Sequence, residues 1–106
     1  MKTELIMKYT KRQADYVAFI YYYTKIHGRA PAEHEIMDHF RVSPPSVHQM
    51  ILNLEKNGLI SRIPGQARSI RIAVPEDELR ELKKIAIFRH KENFTDERQW
   101  KTWGRP

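Results

Sequence analysis

Between residues 43 and 72 the chain sets side chains that can read base edges beside side chains that can hold phosphates. Gln49 can bond an adenine edge bidentately, His48 can donate to guanine or touch a phosphate, and Ser46 can serve either purpose. Pro45 offers an apolar surface to a thymine methyl. Asn53, one helical turn further on, falls nearer the backbone of such a duplex. Lys56, Arg62, Arg68 and Arg71, with the amides around Gly65, suit phosphate oxygens, which fix register without reading sequence. Ser43, Gln66 and Ser69 lie in the same stretch and complete the candidate set.

Acting together, these groups require a helix followed by a hairpin. Ser43 can cap orphan amides and Pro44 suits the first helical position. Val47, Met50, Ile51 and Leu54 then recur at helical spacing, which leaves the opposite face to Pro45, Ser46, His48, Gln49 and Asn53. Gly58 stops this helix, and two short β-branched runs flank Pro64-Gly65-Gln66-Ala67, which has the residues of a hairpin loop. Upstream, Thr10-Lys11-Arg12-Gln13 matches a capping box. It opens a first helix patterned by Tyr16, Val17, Phe19, Ile20, Tyr23 and Ile26, which ends at Gly28. Ala30-Pro31-Ala32 introduces a second helix, Glu33 to Phe40, with Ile36, Met37 and Phe40 inward, and Arg41-Val42 supplies the turn. The run Tyr21-Tyr22-Tyr23 points three ways around a helix, so it reads as packing rather than as a stacking platform for single strands.

The expected fold is therefore mainly α with a small β-hairpin. It is a winged helix-turn-helix over residues 8–74, a three-helix core plus a two-stranded wing, followed by a helical and aromatic extension over 75–106. Pro75 breaks the last strand, Glu76-Asp77-Glu78 suits a first helical turn, and Leu79, Leu82, Ile85, Ala86 and Phe88 give that helix an apolar side. Phe94, Trp100 and Trp103 are too apolar for a featureless tail. A small winged helix cannot bury this set alone, so the extension is expected to form a homodimer whose binding site is an inverted repeat.

Charge is concentrated where these groups lie. The chain has 106 residues, a net charge of +6 and a pI near 9.7, which fits one small domain with a polyanionic partner. From His39 to Pro75 the only acidic residue is Glu55, against Arg41, Lys56, Arg62, Arg68 and Arg71. From Glu76 onward eight basic residues meet seven acidic ones. Cysteine is absent, which excludes disulfides, thiolate metal sites and a cysteine nucleophile and fits a reducing cytoplasm. No apolar run approaches the roughly 20 residues of a membrane span, and the N-terminus lacks a signal-peptide pattern. His34 and Asp38 share a helix face at i, i+4 without further ligands nearby, and the serines lack a paired His-Asp signature. No enzyme, metal, cofactor or small-molecule ligand is expected.

Several of these segments, taken in order, resemble the N-terminal DNA-binding domain of LexA-type repressors. They are Thr10-Lys11-Arg12-Gln13, Gly28-Arg29-Ala30-Pro31 before Glu35-Ile36, Ser43-Pro44, Leu54-Glu55-Lys56-Asn57-Gly58-Leu59-Ile60, and Pro64 through Ile72. The resemblance covers roughly residues 8 to 74 and implies a third helix in the major groove with the wing on the backbone. It also implies departures. LexA-type repressors carry a second, self-cleaving domain with a serine-lysine pair, for which the 32 residues after Val74 are too few, so loss of self-cleavage is expected. The turn Phe40-Arg41-Val42-Ser43 is one residue shorter than in LexA. His48 and Gln49 stand where LexA places an acidic pair, so the operator should differ. The leading expectation is a sequence-dependent, duplex-DNA-binding transcription regulator. The alternatives are a nucleic-acid-binding accessory protein of a mobile element and a winged helix used as a protein-interaction module.

Overall fold

The computed structural model describes residues 9–93. Four helices and a two-stranded sheet follow one another there: α1 (Lys11–His27), α2 (Glu33–Phe40), α3 (Pro44–Lys56), β1 (Ile60–Ser61), β2 (Arg71–Ile72) and α4 (Glu76–Asn93). Local chemistry sets most of these boundaries. The Thr10 hydroxyl accepts from the Gln13 amide while the Gln13 side chain accepts from the Thr10 amide, each at 3.0 Å, so two orphan donors of α1 are satisfied reciprocally. α1 ends where Gly28 turns left-handed at φ 72°, a conformation that a Cβ disfavours. Ala32 has no side-chain oxygen to cap α2, and the Glu35 carboxylate reaches back to its amide instead, at 2.8 Å.

α1 is the centre of the molecule. Every residue from Gln13 to Ile20 is buried, more than one amphipathic face could account for. The cause is that α2, β2 and α4 all pack against it. Tyr16 stacks on Phe40 of α2 with ring centroids 4.2 Å apart, and Phe19 stacks on His39 at 4.5 Å. Leu82 and Ala86 of α4 are fully buried in the same cluster as Val17, Ile36, Val47, Ile51 and Leu54, with Leu79 and Ile85 packed at its margin. This corrects the expectation that the apolar side of the α4 region lacks a partner within the domain. Phe94, Trp100 and Trp103 lie outside the described residues. Ile26, grouped by spacing with the inner face of α1, is instead 45 % exposed in its last turn.

α3 leaves its last turn in a Schellman arrangement. The Leu59 amide bonds the Leu54 carbonyl at 2.9 Å and the Gly58 amide bonds that of Glu55 at 3.1 Å, with Gly58 at φ 76°. Leu54 and Leu59 are both fully buried, so the chain is directed from α3 into β1. β1 and β2 pair antiparallel, Ile60 opposite Ile72 and Ser61 opposite Arg71. Between them, Pro64 and Gly65 (φ 79°) occupy the central positions of a turn closed by the Gln66 amide on the Ile63 carbonyl at 3.0 Å, as a type II turn requires. Among the described residues no helix is long and apolar enough to cross a membrane.

Candidate nucleic-acid interface

α3 is held by one face and shows the other. Val47, Ile51 and Leu54 are buried and Met50 is half-buried, whereas Pro45, Ser46, His48, Gln49, Asn53 and Lys56 are all exposed. Ser43 caps the helix by accepting from the Ser46 amide at 3.3 Å, and the two serine hydroxyls share a further bond at 2.9 Å. Pro44 and Pro45 bring no amide hydrogen to the exposed end of α3, and the Ser46 amide is taken by the cap. The Gln49 side-chain amide donates to the side-chain Oδ1 of Asn53 at 3.2 Å, one turn along the same face. His48 Nδ1 lies 3.7 Å from the Glu33 carboxylate, so this side chain touches the first residue of α2 as well as solvent.

Sequence reasoning missed one side chain on this face. Leu52, 36 % exposed, sits four residues from His48 and three from Gln49, on the side of α3 turned away from the core. An apolar residue at that spacing among polar ones was the available signal.

The wing divides the arginines that sequence spacing had grouped. Arg71 is exposed on β2, and Gly65 and Gln66 are exposed at the turn. Arg62, by contrast, points back to α3, its Nε 3.2 Å from the Glu55 carboxylate. Arg68 turns inward, with Nη1 2.7 Å from Glu35 Oε1, 3.1 Å from the Ala30 carbonyl and 3.4 Å from the Tyr23 hydroxyl. Ser69 closes the loop, its hydroxyl accepting from the Ile63 amide at 2.9 Å and donating to the Ile63 carbonyl at 3.1 Å. Thus Arg62, Arg68 and Ser69 are each engaged in hydrogen bonds within the protein. Ile63, bonded through its backbone, leaves its side chain 56 % exposed beside Pro64.

Tyr23 also donates to the second oxygen of Glu35 at 2.5 Å. Burial alone would raise the Glu35 pKa, but the donors from Tyr23, the Ala32 amide and Arg68 together outweigh it and hold the carboxyl at about 2. The Arg68 guanidinium is correspondingly raised by its bond to Glu35, helped by Tyr23.

A helix-turn-helix with one exposed polar helix face and a wing beside it is a form shared by many proteins; the sequence match is narrower. Residues 6–69 match the family described as the LexA DNA binding domain. The chain belongs to that family. LexA repressors of Thermosipho melanesiensis, Koribacter versatilis and Finegoldia magna are 32 %, 36 % and 36 % identical to it over 72, 72 and 81 residues. Those stretches take in 68 %, 67 % and 74 % of this chain but only 36 %, 34 % and 39 % of the repressors. The chain thus spans little more than a third of the length of the LexA repressors it matches. The LexA match includes α1, α2, α3, β1 and the wing loop, and it ends before α4.

Proposed function

We propose that this LexA-family chain is a transcription regulator that binds duplex DNA in a sequence-dependent way, with α3 in the major groove and the wing along the backbone. The observation that carries this is the exposed face of α3, where Pro45, Ser46, His48, Gln49 and Asn53 stand together on a helix locked from behind. The LexA repressors to which it is similar support repression as the output. In this reading Gln49 and His48 contact base edges, Pro45 and Leu52 meet thymine methyls, and Lys56, Arg71 and the amides near Gly65 and Gln66 hold phosphates. No catalytic step is involved. The absence of cysteine supports a reducing compartment such as the cytoplasm.

We propose further that two copies act together on an inverted repeat, joined through the region after α4. The support is in the sequence, in Phe94, Trp100 and Trp103. The experiment that tests the main reading is selection of bound duplexes from a random pool. It should return one preferred site, with half-sites about one helical turn apart or a multiple of it. Recovery of no sequence preference at moderate salt would favour an accessory nucleic-acid binder, and the absence of salt-dependent binding would favour a protein-interaction module.

A further inference from the structure

Glu35 is a junction of three elements. One carboxylate closes the amide at the start of α2, receives the hydroxyl of Tyr23 from α1, and receives the guanidinium of Arg68 from the wing. These contacts bridge long sequence separations, 33 residues for Glu35 with Arg68 and 45 for Tyr23 with Arg68. Tyr23 is 4 % exposed and Ala30, whose carbonyl Arg68 also holds, is 7 % exposed, so the receiving groups belong to residues anchored in the core. Arg68 itself sits at φ 56°, a left-handed conformation that a non-glycine residue keeps only where its surroundings determine it.

We infer that Arg68 is a positioning residue, a latch that fixes the wing to the start of the helix-turn-helix, and that Glu35 is its catch. The wing then takes its attitude towards α3 from the same carboxylate that caps α2. Arg68 supports DNA binding by placing Arg71 and the turn at Pro64 and Gly65, without donating to a phosphate. The effect on DNA rests on the function proposed above; the latch itself does not.

Two readouts test it on the full chain, amide hydrogen exchange in the wing and the salt dependence of duplex binding. Arg68→Ala should speed exchange of the Ile63 and Gln66 amides by about tenfold or more, because their bonds depend on the folded loop. It should weaken binding to all duplexes yet leave the slope of log affinity against log salt unchanged, whereas Arg71→Ala should flatten that slope by about one unit. Glu35→Gln gives an opposed sign. Removing a negative charge would by Coulomb attraction alone strengthen DNA binding, but loss of the catch should weaken it and speed the same two amides. Arg68→Lys, which keeps the charge on a point donor and preserves more packing, should fall between the wild-type chain and Arg68→Ala in exchange. A flattened slope with unchanged wing exchange in Arg68→Ala would overturn the latch and make Arg68 a phosphate contact. If no duplex binds at all, the exchange measurements still decide the latch, so failure of the functional reading and failure of the latch are distinguishable.

Discussion

A carboxylate with three donors leaves a measurable signature in acid. Glu35 is ionised in the folded chain down to about 2, against an ordinary value of 4.5. Because the folded value is the lower one, its contribution to stability is complete above about pH 4.5 and is lost as pH falls towards 2. The side chain is a quarter exposed, so we expect a contribution on the order of 1 to 3 kcal/mol rather than the value for a fully buried pair. Thermal unfolding followed from pH 6 to pH 2 should therefore drop less steeply in Glu35→Gln than in the wild-type chain, with the curves converging at the acid end. Parallel curves would mean that the carboxylate holds no special bond. On α3, Gln49→Ala should cost about 1 to 3 kcal/mol on the preferred duplex, relax preference at one base position and leave non-specific binding nearly unchanged. Equal losses on every sequence would remove Gln49 from base reading. His48, Gln49 and Asn53 could be chosen from the sequence because helical spacing alone sets which residues oppose Val47, Ile51 and Leu54. The inward turn of Arg68 could not, since its partners Glu35 and Tyr23 are remote in sequence and an arginine's charge does not say where its guanidinium is bound.

At the scale of elements, what was legible is what local chemistry decides. The capping box at Thr10, the left-handed Gly28, Pro44 after Ser43 and the Schellman turn at Gly58 are short-range signals, and the helices begin and end on them. The hairpin was legible as a hairpin but not in its extent. Its strands are only two residues each because the Ser69 side chain replaces a ladder pair at Ile63. Nor was the placement of α4 legible, since periodicity shows that Leu82 and Ala86 share a face without showing what covers it. The answer is α1, which accordingly has no solvent face over Gln13 to Ile20. Leu82→Ala should therefore behave as a core truncation, costing about 2 to 5 kcal/mol with a marked fall in Tm. Ile26→Ser, on an exposed position of α1, should change stability by no more than about 0.5 kcal/mol. If Leu82→Ala were as mild as Ile26→Ser, the packing of α4 on α1 would contribute little to the fold.

For the whole molecule the division at Val74 is a boundary in sequence and not in packing. Removing everything after it deletes Leu82 and Ala86 and bares one side of α1, so a chain ending at Val74 should lose cooperative unfolding and cannot report on assembly. A chain ending at Asn93 keeps those residues and lacks Phe94, Trp100 and Trp103. If that region joins two copies, the full chain should sediment as a dimer at micromolar concentration, while the chain ending at Asn93 should sediment as a monomer that still unfolds cooperatively. On DNA the two should differ in a definite way. The full chain should prefer an inverted repeat, because two-fold symmetry presents two α3 helices in opposite senses, and its affinity should fall sharply when one half-site is scrambled. The chain ending at Asn93 should bind each half-site independently and with a shallower salt slope, since each bound copy displaces only its own counterions. A full chain that remains monomeric at high micromolar concentration, both free and on its preferred duplex, would exclude the dimer and leave a winged helix whose bases are read by a single α3.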